Sequence, residues 1–326
     1  MHRLLRVACA TLFVIASSLA QAASLTATDF SERLDALWNF DRPAASEARF
    51  RAEATQHRAW SREAVETATQ LARALGLQRR FAEANKILDT IEPSLPRLPA
   101  RIRVRYLLER GRCENSSGRP AAAFGWFEQA LAASEQDDLP GAAYYRVDAL
   151  HMLGIAAPAD RQVEWNLKAL AAATDARDER TRRWRASILN NLGWSMHARG
   201  DDAGALAYWQ DALAAREAAH DVAGARIARW TVARGLRALG RLDEAEAMQR
   251  SLAAELDAAH APDGYVFEEL AEIASSRGDR AAARTWAAKA LALLQDDAEL
   301  RANEPARLAR LADLVRNGAA AAAAGH

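Results

Sequence analysis

The clearest pattern in the chain is a pair of apolar stripes at helical spacing within residues 186–219. The first stripe comprises Leu189, Leu192, Gly193 and Met196, and the second comprises Ala205, Trp209, Ala212 and Leu213. Spacings of three and four residues are typical of one face of an α-helix. Between the stripes, Gly200 permits the left-handed turn that ends a helix, and Asp201 and Asp202 suit the start of the next. The segment therefore predicts a helical hairpin.

The same hairpin pattern returns along the chain with a steady period. A small residue of the second helix falls at positions 84, 123, 205, 245 and 283, with Gln162 in the corresponding place of one copy. The successive intervals are 39, 39, 43, 40 and 38 residues. Further copies are predicted over residues 104–135, 226–258 and 264–295, and more degenerate copies over 65–92 and 143–174. Each such hairpin leaves an apolar face that only the neighbouring hairpin can bury, so the hairpins must stack.

The clean copy resembles the tetratricopeptide repeat. Its signature places hold Leu189, Leu192-Gly193, Met196, Gly200, Ala205, Trp209 and Ala212. It departs from the family at Met196, where an aromatic residue is usual, and in lacking the final proline. The resemblance covers residues 61–296 and implies an all-α fold, a right-handed α-solenoid of about six stacked antiparallel helix hairpins. The period exceeds the usual value of about 34, as it does in arrays known among bacterial regulatory and sensor proteins.

The segments that flank this array are predicted to cap or precede it. Residues 25–60 are expected to form lead or capping helices, with Trp38 and Phe40 available to cover the first hairpin. Residues 297–317 are expected to contain a C-terminal capping helix. The Ala-rich stretch 318–326 predicts a disordered tail.

The N-terminus has the three parts of a secretory signal. Arg3 and Arg6 precede an apolar run over residues 7–19, and Ala20-Gln21-Ala22 offers a small-x-small cleavage site. We therefore expect residues 1–22 to be a cleaved signal peptide and the mature protein to be periplasmic, in preference to a buried N-terminal helix or an uncleaved anchor. Cleavage would remove Cys9 and leave Cys113 without an internal disulfide partner, either as a buried inert thiol or as a free one.

Composition and charge narrow the possible partners. Half of the residues are hydrophobic, many of them Ala, which favours closely packed helices. The chain has 43 basic and 43 acidic residues, and removal of Arg3 and Arg6 with residues 1–22 leaves 41 and 43, a net charge of −2. A chain of this charge has no general attraction to nucleic acid or to anionic lipid. No later apolar run is long enough to predict a membrane span. A protein or peptide partner is the remaining expectation.

Motifs that carry chemistry are missing from the sequence. It contains no phosphate-binding glycine loop, no H-E-x-x-H, no C-x-x-C and no G-x-S-x-G. The acidic pairs, such as Asp201-Asp202 and Asp296-Asp297, are interpreted as helix caps. We therefore expect a protein that is not an enzyme and that needs no cofactor and no metal.

The resemblance also implies where a partner would bind. In the family, the first helix of each hairpin lines the concave groove, and its groove positions in this chain are basic and aromatic in the middle of the array. The candidate groove residues are Arg112, Asn115, His151, Asn190, Trp194, His197, Trp230, Arg234 and Arg237. The same positions hold Arg73, Arg105 and Tyr144 earlier in the chain, and Tyr265, Glu268 and Glu272 at its acidic far end. Such a mixture suits an acidic or extended peptide. Alternatively, the Trp residues pack between repeats and the Arg residues are solvated.

Three functions follow in descending order of support. The first is a periplasmic scaffold or adaptor that holds a protein or peptide in its groove. The second is a stand-alone or truncated periplasmic sensor module, related to those that precede a diguanylate cyclase or histidine kinase domain. The third is an enzyme built on a helical scaffold, for which the sequence offers no motif.

Overall fold

In the computed structural model, which describes residues 30–135, 139–297, 300–301 and 304–323, short turns join α-helices and the described residues contain no strand. The predicted all-α fold class is therefore confirmed. The predicted signal peptide, residues 1–22, lies outside the described residues. Among the helices that are described, none combines the length and the apolar character needed to cross a membrane.

The chain divides into two compact units, Met1–Ala172 and Ala173–His326. The helices of unit 1 are α1 (30–36), α2 (Pro43–Ala54), α3 (Arg62–Leu77), α4 (Phe81–Ile91), α5 (Ala100–Ser116), α6 (Pro120–Ser134) and α7 (Ala142–Ala156), with a 3-10 helix over Glu92–Arg97. Helix α8 (Gln162–Asp175) crosses the boundary. The helices of unit 2 are α9 (Glu179–Arg182), α10 (Trp184–Ala198), α11 (Asp202–Ala218), α12 (Val222–Ala238), α13 (Leu242–Ala258), α14 (Gly264–Ser276), α15 (Arg280–Leu294) and α16 (Pro305–Ala323).

Within each unit the helices pair as hairpins and the hairpins stack side by side, as in an α-solenoid. In unit 1, α3 packs on α4 and α5 on α6, and α3, α5 and α7 contact one another in sequence. In unit 2 the hairpins are α10–α11, α12–α13 and α14–α15, and α16 covers α15. The backbone of α16 continues through residues 318–323 of the segment predicted as a tail, and residues 324–326 lie outside the described part.

The predicted turn between α10 and α11 forms as the residues dictate. Gly200 has a φ of 80°, in the left-handed region that glycine adopts without steric strain because it has no Cβ. The Asp201 carboxylate then accepts a hydrogen bond of 2.8 Å from the Gly204 backbone N–H and so caps α11. The same left-handed glycine ends the first helix of three other hairpins, at Gly118, Gly240 and Gly278.

The hairpin is held together where a glycine of the first helix meets an aromatic ring of the second. Trp209 on α11 is fully buried, and its Nε1 donates to the Asn190 carbonyl of α10 at 3.2 Å. A Cβ added at Gly193 would lie 2.2 Å from Trp209 Nε1, so only glycine leaves room for the ring. Gly111 and Phe127 repeat this contact between α5 and α6. In both hairpins the glycine therefore makes space for an aromatic ring of the facing helix.

Cys113 belongs to the core of unit 1. Only 3% of it is exposed, and a Cβ on Gly76 of α3 would lie 3.8 Å from its sulfur. Burial raises the pKa of the thiol to about 12, so it stays protonated at neutral pH. Because the thiolate is the reactive form, the structure favours the buried, inert alternative for this cysteine.

Candidate partner-binding site

Unit 2 contains a cavity of about 740 Å³ beside the helices that were predicted to line a groove. It is formed by α10, α12 and α14 and by the start of α16. Its lining is aromatic and charged: Trp194, Trp230, Arg234, Arg237, Glu268, Glu269, Glu272, Glu304, Ala306, Arg307 and Arg310. Four of the nine predicted groove residues therefore share one concave surface, together with two of the acidic positions from the far end of the predicted groove.

An arginine stacked against two tryptophans forms one wall of this cavity. Arg234 lies one helical turn after Trp230 on α12, and its Cζ is 5.8 Å from the centroid of that ring. The same Cζ is 5.4 Å from the centroid of Trp194 on α10, and the two rings are 6.3 Å apart. Cation–π contacts of this kind hold a guanidinium without using its N–H groups. The wall thus keeps hydrogen-bond donors available to a ligand.

The two tryptophans are fixed from behind by their own contacts. Trp194 meets Trp209 edge to face, with ring centroids 5.0 Å apart. Trp230 donates its Nε1 hydrogen to the Tyr265 carbonyl of α14 at 3.0 Å. Because each ring is anchored on its other side, the wall is preorganised, which lowers the entropic cost of binding.

Ion pairs between successive helices form the rest of the lining. Arg307 donates to both oxygens of Glu268 at 2.5 and 2.6 Å, and Arg310 donates to both oxygens of Glu272 at 2.5 and 2.6 Å. Arg237 is paired with Glu269. Burial lowers the pKa of Arg237, but the hydrogen bond and charge of Glu269 outweigh it and leave that pKa above its usual value. The pKa values of Arg307 and Arg310 are raised as well, so the three arginines stay charged at neutral pH.

The charge of the lining is balanced, since four arginines face four glutamates. Arg234 has the weakest pairing of these arginines. Its Nη1 is 3.9 Å from Glu269, whose carboxylate is already held by Arg237, and its buried Nε has no hydrogen-bond partner among the described residues. The guanidinium of Arg234 is therefore the least tightly paired of the four and is the one that an incoming carboxylate would contact.

A second cavity of about 380 Å³ adjoins the first at Trp230 and Arg307, which line both. Its other lining residues are mostly apolar: Ala223, Arg226, Ile227, Leu252, Leu256, Asp263, Tyr265 and Val266. Ile227 is 64% exposed there. A ligand bound in the charged cavity could bury an apolar side chain in this adjoining cavity.

Two other predicted groove residues of unit 2 lie outside both cavities. The side chain of His197 is paired with Asp202 at the start of α11. Asn190 contributes its backbone carbonyl to the Trp209 hydrogen bond. Both residues belong to the contact between α10 and α11.

The predicted residues of unit 1 are engaged in internal contacts. Arg112 is paired with Glu109 at 2.5 Å and with Asp148 of α7. His151 is buried on α7, and Asn115 is partly buried near the end of α5. All three residues lie on the first helix of a hairpin, and the pair of Arg112 with Asp148 joins α5 to α7.

A buried network of charges lies next to these residues and was missed by the sequence analysis. Glu66 on α3 is fully buried, and its two oxygens accept hydrogen bonds from Arg101 on α5, both at 2.9 Å. Arg105 on α5 donates to the Tyr145 hydroxyl of α7 at 2.8 Å. Charged residues on a helix carry no local signal of burial, because partners 35 to 40 residues away decide it.

Residues 30–40 contact two of the predicted groove positions of unit 1, Arg73 and Arg105. Arg105 donates hydrogen bonds of 2.9 Å to the Ser31 hydroxyl and to the Asp35 carboxylate of α1. The Cζ of Arg73 lies 5.7 Å from the centroid of the Trp38 ring, which itself donates to Gln70 at 3.0 Å. The first-helix face of α3 and α5 is therefore occupied by a segment of the same chain.

The burial of His151 predicts acid sensitivity of unit 1. Burial lowers its pKa from 6.5 to about 4, with Asp148 opposing the shift and Arg112 adding to it. The unfolded chain therefore binds a proton below pH 6.5 that the folded unit rejects until about pH 4. Between pH 7 and 4.5 we expect the free energy of unfolding to fall by about 2 kcal/mol more in the wild type than in His151→Gln. Urea denaturation at both pH values measures this difference, and equal losses would contradict it.

Comparisons with known proteins agree with a fold made of repeated helical hairpins. The tetratricopeptide repeat family model matches residues 185–222, which include the Gly193–Trp209 contact. The sequence has no match among curated proteins. The structure resembles the apo form of RapI, with 10% identity, a TM-score of 0.65, and coverage of 92% of this chain and 87% of that chain.

Two further similar structures are complexes. One is a Rap protein complexed with competence and sporulation factor, with 14% identity, a TM-score of 0.58, and coverage of 91% of this chain and 88% of that chain. The other is NprR in complex with its cognate peptide NprX, with 15% identity, a TM-score of 0.54, and coverage of 86% and 81%. At these identities the likeness concerns the fold. Residues 185–222 therefore match the tetratricopeptide repeat, and helical hairpins of the same fold recur within each unit.

Proposed function

We propose that this chain is an exported, non-catalytic protein that binds a peptide segment of a partner in the charged cavity of unit 2. The observation that carries the proposal is the placement of Arg234 between Trp194 and Trp230 on the cavity wall, with its Nη1 as far as 3.9 Å from Glu269. A preorganised Arg–aromatic wall is the kind of surface on which binding energy concentrates. The similar fold of NprR, described in complex with its peptide, supports the same use of the fold.

The lining indicates the chemistry of the ligand. Because four glutamates balance the four arginines, a strongly charged peptide of either sign gains little from the cavity as a whole. A single carboxylate suits Arg234, and an adjoining apolar side chain suits the cavity around Ile227 and Leu252. We therefore propose an extended segment with one acidic group next to a large apolar residue. Export rests on the signal-like residues 1–22, and the periplasm is the compartment that we propose.

The test is a selection of random dodecapeptides on the purified chain, followed by fluorescence anisotropy with the selected peptides. Replacing Arg234 by Ala removes the guanidinium from the tryptophan wall, and we expect the peptides to bind at least tenfold more weakly, which is about 1.4 kcal/mol. The matched control is Arg284→Ala on α15, an exposed arginine that lines neither cavity.

Two outcomes would overturn the assignment. Peptides that bind Arg234→Ala and wild type alike would place the binding surface elsewhere, and a selection that enriches no peptide would remove the peptide-binding function. The N-terminal sequence of the protein purified from its own host reports on export at the same time, since an intact Met1 contradicts a cleaved signal.

A further inference from the structure

Another cavity of unit 2, separate from the charged cavity, is lined mainly by arginine and alanine. It has a volume of about 310 Å³ and lies where α9 and the start of α10 meet the end of α11. Its lining residues are Glu179, Arg182, Arg183, Arg185, Ala186, Ala215, Arg216, Ala218, Ala219 and Asp221. Four arginines thus face two carboxylates, whereas the charges that line the charged cavity balance. None of these residues lines the charged cavity or the apolar cavity beside it.

Two of the four arginines are held in place by contacts within unit 2. Arg216 donates one hydrogen bond to Asp221 at 2.6 Å and another to the Ser187 hydroxyl at 2.9 Å. Arg182 donates to the carboxylate of Glu179 at 2.9 Å. Because these guanidiniums are positioned before a ligand arrives, less conformational entropy is lost when it binds.

The other two arginines are weakly paired and exposed at the same cavity. The Nε of Arg183 is 3.7 Å from Glu179, whose carboxylate already accepts hydrogen bonds from Arg182. Among the described residues, no ion pair or hydrogen bond involves the guanidinium of Arg185. The two carboxylates of the lining are therefore engaged by Arg182 and Arg216, and an excess of two positive charges is left for a ligand.

We infer that this cavity binds the phosphate group of a small phosphate monoester. Such a group is close to doubly charged at neutral pH and has three strong acceptor oxygens, which matches both the charge excess and the number of guanidiniums. The planar guanidinium donates two parallel hydrogen bonds to phosphate, a geometry that lysine lacks. A bare phosphate ion is much smaller than the cavity, and the four alanines of the lining offer apolar surface to the organic part of the ester.

The experiment measures binding of phenyl phosphate to the full chain by isothermal titration calorimetry at low ionic strength. We expect phenyl phosphate to bind at least tenfold more tightly than inorganic phosphate, which has no apolar part, and than benzoate, which has one carboxylate. Arg185→Ala removes a guanidinium that has no partner among the described residues, so it should leave thermal unfolding unchanged. The same substitution should weaken the binding of phenyl phosphate at least tenfold.

Two control variants separate this cavity from the rest of unit 2. Arg284→Ala removes an exposed arginine of α15 that lines none of the three cavities, and Arg234→Ala alters only the charged cavity. Both should bind phenyl phosphate as the wild type does, so failure of the peptide-binding proposal would leave this inference standing. Equal affinity of the wild type and Arg185→Ala would overturn it. So would the absence of phenyl phosphate binding, or equally tight binding of benzoate or inorganic phosphate.

Discussion

Replacing Trp209 by Ala is expected to lower the free energy of unfolding of unit 2 by about 3–5 kcal/mol, because it removes a large, fully buried ring from the hairpin. The same ring supports Trp194 edge to face and Gly235 of α12, where an added Cβ would be 3.0 Å away. The loss therefore loosens both the α10–α11 hairpin and its contact with α12. Urea denaturation followed by circular dichroism measures it.

A double-mutant cycle of Gly193 and Trp209 tests whether glycine is required at position 193 because of the Trp209 ring. Gly193→Ala alone should be strongly destabilising, since its Cβ would lie 2.2 Å from the ring of Trp209. In the Trp209→Ala background the same substitution should become neutral or stabilising by up to about 1 kcal/mol, because Ala is the better helix former. Gly125→Ala is the control, as nothing lies within 4 Å of its Cβ on α6. Additive effects at 193 and 209 would contradict the steric account.

The hairpins were predictable because their determinants are local. Gly200 and Asp201 specify a turn and a cap within five residues, and the stripe through Leu189 and Leu192 specifies the buried face of α10. The repeat period then fixes which helix packs on which. The need for glycine at position 193 also arises within one hairpin, because the ring of Trp209 on the facing helix leaves no room for a Cβ.

The candidate site was predictable only in part, because its chemistry is decided between hairpins. The sequence separates a basic, aromatic middle from an acidic far end, but stacking brings Arg237 of α12 against Glu269 of α14. Arg307 of α16 pairs with Glu268 and likewise joins the capping helix to the same cavity. The pairing of these charges changes the expected ligand from a broadly acidic peptide to one with a single carboxylate.

In unit 1 the predicted groove residues differ further from expectation, again because contacts between separate segments of the chain decide what their side chains bind. A helix position that faces a groove in one repeat protein faces whatever segment lies over it in another. Here α1 lies over Arg105, and α7 lies against Arg112, so these arginines form internal bonds. The position of a residue within a repeat predicts which side of its helix it occupies. Which segment lies over that side can depend on residues outside the repeats, such as residues 30–40 here.

Replacing Glu66 by Ala is expected to destabilise unit 1 by about 3–5 kcal/mol, since it removes the carboxylate that accepts two hydrogen bonds from the buried guanidinium of Arg101. The side chain of Arg101 is only 6% exposed, so water cannot restore the lost bonds. Glu83→Ala is the matched control. Glu83 also binds an arginine through two hydrogen bonds, to Arg80 at 2.6 Å each, but it is 54% exposed, so its replacement should destabilise unit 1 far less than Glu66→Ala does.

Joint replacement of Glu66 and Arg101 by Met should recover much of the loss, because two apolar side chains of similar volume avoid the desolvation of both charges. Arg105 keeps Asp35 and Tyr145 in that variant and need not lose its charge partner. Thermal unfolding by circular dichroism compares the variants. If the joint variant is as unstable as Glu66→Ala, the network contributes attraction beyond its desolvation cost, and the buried ion pair is itself a net source of stability for the α3–α5 contact.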